Sequence, residues 1–367
     1  MKNLPLLNMV NADFTVSVPR PLIMAGPCSA ETEDQLLATA RQIALHCDID
    51  IFRAGIWKPR TRPGSFEGIG KIGLTWLKEV KEIIGKPVAV EVANTAQVEE
   101  ALKQGIDILW IGARTTVNPF SVQDIADALR GVRIPVFVKN PLNPDIDLWT
   151  GAVERVLNAG IEWVGLIHRG FSSFGNSHYR NPPMWHLAIE MKQRHPGLTM
   201  LNDPSHICGN RENIQETLQY AADLGYDGAM VEVHCNPDKA WSDAKQQLLP
   251  QDFGTLIRNI RWRDKKLSLD HDQLLAYREQ IDQLDDELLS LLGRRMQISQ
   301  QIGEYKSQHN ISILQLIRWS EILHNVSSKG HGLGLSEDFI SQYINAIHLE
   351  SIRHQEMKMH TQNQEEE

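Results

Sequence analysis

The sequence predicts an α/β chain, a (β/α)8 barrel followed by an all-α domain of three helices, on three observations. Eight short apolar runs alternate with amphipathic stretches over residues 1–269. Each run ends at or near a charged or reactive residue. Beyond about residue 270 the alternation stops and one long helical period replaces it.

The runs are Leu22–Ala25, Ile49–Arg53, Val88–Val92, Ile108–Ile111, Pro135–Val138, Trp163–Ile167, Thr199–Leu201 and Ala229–Val233. Between them lie helical patterns such as Thr32–His46, Thr95–Gln104, Val122–Arg130, Leu148–Asn158 and Glu212–Leu224. Continuous apolar runs separated by helices are the pattern of buried parallel strands. A doubly wound open sheet is the alternative, but no Gly-x-Gly-x-x-Gly follows the first run. The runs lead in turn to Cys28 with Ser29, Arg53 with Lys58, Glu91, Arg114, Lys139, His168 with Arg169, Asp203 with His206, and Glu232 with His234. In a barrel all eight strand ends open on one face, so these groups would converge there.

The barrel is expected over residues 1–262, beginning almost at once and leaving no room for a separate N-terminal regulatory domain. A linker (263–270), a helical domain (271–360) and an acidic tail (361–367) follow. Gln273 to Ser307 reads as one helix, with Leu274, Tyr277, Ile281, Leu284, Leu288, Leu291, Ile298, Ile302 and Tyr305 at three- to four-residue spacing. Further helices are expected over 313–326 and 337–359, separated by a Gly-rich turn at Lys329–Gly334. A helix of ~50 Å with so little chain to cover it implies an intertwined homodimer; an exposed helical tail is the alternative.

Composition excludes several classes. Residues 270–367 hold 8 Lys and Arg against 16 Asp and Glu, and the rest 29 against 30, so neither part has a nucleic-acid binder's basic excess. No apolar run approaches the ~20 residues that span a bilayer, and the N-terminus lacks a signal-peptide pattern. The four cysteines form no Cys-x-x-Cys pair, which places the chain in a reducing cytoplasm.

Two constellations carry the chemistry. In Phe52–Thr61, FRAGIWKPRT, Arg53, Lys58 and Arg60 fall within eight residues and Gly55 and Pro59 break the backbone between them. With Arg114, Lys139 and Arg169 this makes six cations on the predicted face. They match a ligand with two phosphates and a carboxylate, roughly five negative charges. Cys28, His206, Glu232 and Asp243 are candidate ligands for a divalent ion of the Mn, Fe, Co or Zn kind. Only placement on one face supports that set: a thiol also packs well, and His206 would equally cap a helix. Cys47 reads as packing and His234 as a group behind the ligands.

Residues 20–260 resemble the metal-dependent 3-deoxy-D-arabino-heptulosonate 7-phosphate (DAHP) synthases. The resemblance is carried by AGPCSAE (25–31), RAGIWKPRT (53–61), IGARTT (111–116), VKNP (138–141), HRG (168–170), DPSH (203–206), VEVH (231–234) and SDAKQ (242–246). It implies condensation of phosphoenolpyruvate with erythrose 4-phosphate. Cys28, His206, Glu232 and Asp243 would hold the metal. Arg53, Arg114, Lys139 and Arg169 would bind phosphoenolpyruvate, and Lys58, Arg60 and Thr61 the aldose, with Lys58 handling a proton. KPRT separates this family from the octulosonate synthases, which carry a KANR-type sequence there. His168 departs from the acidic residue common before Arg-Gly, and no role is assigned to it.

Residues 270–360 are similar to the all-helical chorismate mutases, most clearly in LLAYREQIDQLDDELLSLLGRR (274–295). The resemblance implies that Arg278, Arg295, Lys306, Arg318, Ser351 and Gln355 bind chorismate, with Arg295, Lys306 and Gln355 at the reacting bond. Arg295 and Lys306 are 11 residues apart, about 20° from one helical face, while Arg278, 17 residues before Arg295, is about 100° away and would reach a partner's site. Gln315 replaces a usually acidic residue and Trp319 a Glu that meets the substrate hydroxyl. The fusion implies feedback on the barrel by prephenate or chorismate; a helical domain serving only dimerisation and ligand sensing is the alternative.

Overall fold

The computed structural model describes residues 21–59, 64, 66–174, 177–263 and 272–365. Arg60, Thr61 and most of the expected linker lie outside the described residues. The chain divides into two compact units, Met1–Lys266 and Leu267–Glu367.

The first unit runs β1 (Leu22–Gly26), α1 (Glu33–His46), β2 (Ile51–Arg53), α2 (Ile72–Ile84), β3 (Val88–Val92), α3 (Thr95–Lys103), β4 (Ile108–Ile111), α4 (Ala113–Thr116), α5 (Pro119–Ala128), β5 (Val136–Lys139) and α6 (Ile146–Asn158). It continues through β6 (Val164–His168), α7 (Trp185–Arg194), β7 (Thr199–Asn202), α8 (Pro204–Cys208), α9 (Ile214–Asp223), β8 (Gly228–Glu232) and α10 (Pro250–Asn259). All eight strands are parallel and close into a barrel in sequence order, with β1 bonded to both β2 and β8. The open doubly wound sheet is thereby excluded.

Several boundaries move for local reasons. α5 begins at Pro119 rather than Val122 because the Asn118 side chain accepts the Phe120 and Ser121 N–H groups and proline suits the first helical position. α6 likewise starts two residues early, at Ile146, where the Asp145 carboxylate caps Asp147 and Leu148.

Strand alternation sorts the side chains into layers. Leu22, Met24, Ile51, Ala89, Ile108, Trp110, Phe137, Ile167, Leu201 and Met230 fill the barrel interior, separate from the larger core between strands and helices. Two residues beyond six of these, on the same inward side, stand Arg53, Glu91, Lys139, Arg169, Asp203 and Glu232. The polar strand ends thus form the next interior layer, at the C-terminal mouth. Trp110 floors it, with the Arg53 guanidinium 4.8 Å and the Lys139 ammonium 6.0 Å from its ring centroid.

The second unit is α11 (Asp272–Gln308), α12 (Leu316–Gly332) and α13 (Glu337–Glu365). The expected turn at Lys329–Gly334 is corrected: α12 continues through Gly332 and only Leu333 and Gly334 turn. Gly330 serves packing, since a Cβ there would lie 2.4 Å from Ile340 Cδ1. The tail is likewise helical to Glu365. Ile340, Ile344 and Ile347 on α13 are the unit's buried aliphatics among the described residues, whereas Leu274, Tyr277, Ile281, Leu284, Leu288 and Leu291 on α11 are exposed.

Candidate functional site

Cys28, Glu232 and Asp243 offer ligand atoms that all lie within 4.8 Å of one another. Cys28 follows β1, and its N–H donates to Gln247 Oε1 at 2.9 Å, fixing the loop. Glu232 ends β8. Its Oε1 accepts from an Arg53 nitrogen at 2.9 Å and its Oε2 from Gln246 Nε2 at 2.7 Å. Asp243 sits in a left-handed backbone conformation (φ 47°), a strained state of the kind that gathers at functional sites.

His206 is near but not within that trio's mutual reach. Its Nε2 is 3.8 Å from Glu232 Oε1, while its Nδ1 is 3.0 Å from Asp203 Oδ1. Asp203 caps α8 by accepting the His206 backbone N–H, so one carboxylate starts the helix and orients the ring. A proton held on Nδ1 leaves the Nε2 lone pair for a cation, the usual arrangement behind a ligating histidine. Burial alone would raise the Asp203 carboxyl, but His206 and Lys139, whose Nζ is 2.7 Å away, hold it well below the carboxylate range.

Lys58 donates to the Cys28 sulfur at 2.9 Å. The approach depends on Gly55, where a Cβ would meet Lys58 Cε at 2.8 Å and the Cys28 carbonyl oxygen at 2.7 Å. Burial, then Glu232, pushes the Cys28 thiol up to about 12. A thiol, an imidazole with a free nitrogen and two carboxylates, arranged around Lys58 and Arg53 charges, fit a borderline divalent cation.

The cations of the inner layer are only partly matched by its carboxylates: Arg53 pairs with Glu232 and Lys139 with Asp203. Arg53 is buried, and its Nε has no hydrogen-bond partner. Arg169 is buried and lowered to about 10 by that burial, with Arg180 and Arg114 adding repulsion. Arg114 is exposed on α4. The Asn140 amide ties the loops after β5 and β6 together, bonding the Gly170 carbonyl and the Arg169 N–H.

His168 faces away from this layer. Its ring bonds the Pro183 carbonyl at 2.7 Å and the Tyr226 hydroxyl at 2.9 Å, and burial pushes it down to about 4. The Nδ1 of His234 accepts the Asn236 N–H, and its Nε2 is 3.6 Å from Glu31. Sequence reasoning did not single out Arg180, which donates to Asp243 at 3.0 Å and Gln246 at 2.8 Å. It stands in a long loop without a motif. Gln246 lay inside SDAKQ but carried no charge to draw notice.

In the helical unit Arg295 hydrogen-bonds Ser351, Lys306 Nζ donates to the Ile313 carbonyl at 2.6 Å, and buried Gln355 leaves Oε1 without a partner. Lys306 and Gln315 line a cavity of about 330 Å³ with Ile298, Ile302, Tyr305 and Ile311. Arg318 is not brought in, and Arg278, expected at a partner's site, stands apart within this protomer. Arg318 is exposed and paired with Glu321 at 2.9 Å. Arg278 is exposed, and 17 residues of helix put it ~25 Å along α11 from Arg295.

The DAHP synthetase I family model matches residues 17–269, and the chorismate mutase type II model matches residues 277–356. A phospho-2-dehydro-3-deoxyheptonate aldolase of Thermotoga maritima is 32% identical over 239 residues, covering 65% of this chain and 68% of that protein. A 2-dehydro-3-deoxyphosphooctonate aldolase of Geotalea daltonii is 31% identical over 265 residues, covering 66% and 92%. The crystal structure of the Thermotoga maritima heptonate enzyme superposes with a TM-score of 0.59 at 29% identity, over 66% of this chain and 68% of that one.

Proposed function

Given that this chain belongs to the DAHP synthetase I family and carries a chorismate mutase type II domain after its barrel, we propose that it condenses phosphoenolpyruvate with erythrose 4-phosphate and also rearranges chorismate to prephenate. The observation that carries the synthase reading is the single interior layer in which Arg53, Lys139 and Arg169 stand beside the Cys28, Glu232 and Asp243 trio.

Arg53, Lys139 and Arg169, joined by Arg114, hold the phosphate and carboxylate of phosphoenolpyruvate. Cys28, His206, Glu232 and Asp243 hold a divalent ion of the Mn, Fe, Co or Zn class, which supplies Lewis acidity toward the aldehyde oxygen when bound. Lys58 stands beside that position and delivers a proton to the same oxygen as carbon 3 of phosphoenolpyruvate bonds to the aldehyde carbon. Water adds at carbon 2, and inorganic phosphate leaves. Arg60 and Thr61 take the aldose phosphate by motif. Phosphoenolpyruvate consumption after chelation and metal add-back tests the reading; full activity in chelated protein would refute the ligand set.

The octulosonate relative supports a second reading, in which arabinose 5-phosphate is the acceptor. The KPRT segment favours erythrose 4-phosphate, and turnover with each aldose separates the two.

For the helical unit, Arg295, Lys306 and Gln355 form a cationic, hydrogen-bonding site that holds chorismate in its reactive conformer and stabilises charge at the breaking ether bond. The exposed apolar stripe of α11 supports a homodimer in which Arg278 completes the partner's site. Prephenate or chorismate bound there inhibits the barrel. Equal inhibition of the full chain and of a chain ending near residue 265 would remove that regulatory role. Among the described residues no helix is long and apolar enough to cross a membrane.

A further inference from the structure

Trp319 on α12 and His348 on α13 lie face to face, with ring centroids 3.9 Å apart and planes 16° apart. Ser351 and Gln355 follow His348 at i+3 and i+7 and so share its face of α13. α11 meets that face with Arg295, bonded to Ser351. Three helices therefore converge on one polar patch.

Two buried atoms of the patch have no hydrogen-bond partner, His348 Nε2 and Gln355 Oε1. Native proteins seldom leave such atoms unpaired unless a ligand or water completes them. At position 319 a Glu would accept a bond from a substrate hydroxyl; Trp319 cannot, because its only polar group is an N–H donor. Its flat face holds the imidazole instead.

We propose that His348 is the residue that recognises the ring hydroxyl of a cyclic dicarboxylate bound in the helical unit, through Nε2, with Trp319 as its positioning residue. The proposal rests on the mutase reading above. Arg295 and Lys306 take the carboxylates, which leaves the alcohol as the group still needing a partner. Burial, then the Arg295 and Lys306 charges, lowers the His348 pKa, which keeps the ring neutral. A neutral imidazole has one donor and one acceptor nitrogen, which suits an alcohol and gives no charge attraction to a carboxylate.

The test uses the full-length protein with chorismate and with its analogue lacking the ring hydroxyl, comparing kcat/KM for wild type and His348→Phe. The analogue's intrinsic reactivity cancels in the ratio between proteins. We expect His348→Phe to lose about tenfold or more on chorismate and to leave the analogue essentially unchanged. Equal losses on both, or none on either, would overturn the proposal. His348→Gln, which keeps a donor and an acceptor, should recover part of the chorismate loss, and it serves as the measured variant where Phe misfolds. There, values for both compounds equal to those of His348→Ala overturn the proposal. Arg295→Ala should abolish turnover of both compounds. If it spares both, the mutase reading fails and this assignment with it; if it abolishes both while His348→Phe changes neither, the assignment alone fails.

Discussion

The Lys58 ammonium lies 2.9 Å from the Cys28 sulfur, on the side of a thiol whose other neighbour is Asp243 at 3.3 Å. One positive charge thus stands beside the place where the ligand trio would hold another. At such separations like charges repel by a few kcal/mol even at an effective dielectric of about 20. Lys58→Met should therefore bind a divalent ion at least as tightly as wild type, while synthase turnover falls by about a hundredfold or more. Chelator-competition titration and phosphoenolpyruvate consumption read the two effects separately, and parallel losses would contradict a proton-handling role.

The same thiol sets a pH dependence. Burial, then Glu232, pushes it up to about 12, so the metal-free protein carries the proton near neutrality. A thiolate must form when a cation binds, so uptake should release about one proton per site. Apparent affinity should then rise about tenfold for each pH unit below that value. Calorimetry in buffers of different ionisation enthalpy measures the proton count, and Cys28→Ser should abolish most of it.

Gly55 makes the Lys58 approach possible, and Gly55→Ala tests that geometry without removing any functional group. The new methyl would press on the Cys28 carbonyl and the Lys58 stem, at 2.7 and 2.8 Å. Overpacking of this kind costs roughly 1–3 kcal/mol. We expect a folded protein with reduced melting temperature and at least about tenfold lower synthase kcat, with chorismate turnover unchanged. Thermal unfolding and the two activity assays check this together.

What the sequence made legible follows from which forces act locally. The ends of the apolar runs placed Arg53, Glu91, Lys139, Arg169 and Glu232 on one face, because in a closed parallel barrel every strand ends at the same mouth. Helix starts at Pro119 and Ile146 were missed because Asn118 and Asp145 act through caps, which leave no apolar period. Arg180 and the Trp319–His348 stack were invisible for a different reason. Each joins chain segments far apart in sequence, and nothing at the single positions marks the meeting.

His168 illustrates the opposite case, a residue of the HRG segment that the fold uses structurally. Its folded pKa of about 4 lies below the ordinary 6.5, because burial disfavours the imidazolium. Between these values the unfolded chain binds a proton that the folded chain does not, so stability falls as pH drops from about 6.5 to 4 and is unaffected above. The contribution is about 3 kcal/mol. Denaturant unfolding of wild type and His168→Asn at pH 7 and pH 4.5 should show a smaller acid loss in the variant, although the variant is less stable at pH 7.

Arg278 lies ~25 Å along α11 from Arg295, too far for both to touch one small dicarboxylate in the same protomer. A second copy packed on the exposed stripe through Ile281, Leu284 and Leu288 would bring its own Arg278 to that place. Arg278→Ala and Arg295→Ala should each lose chorismate turnover. Mixed in equal amounts, unfolded and refolded together, they should regain about a quarter of wild-type activity, because half the dimers are hybrids and each hybrid has one intact site of two. Leu288→Asp should give a smaller particle by light scattering and no mutase activity, with synthase turnover retained. Failure of the mixture to recover activity, with dimers present, would place Arg278 outside the shared site.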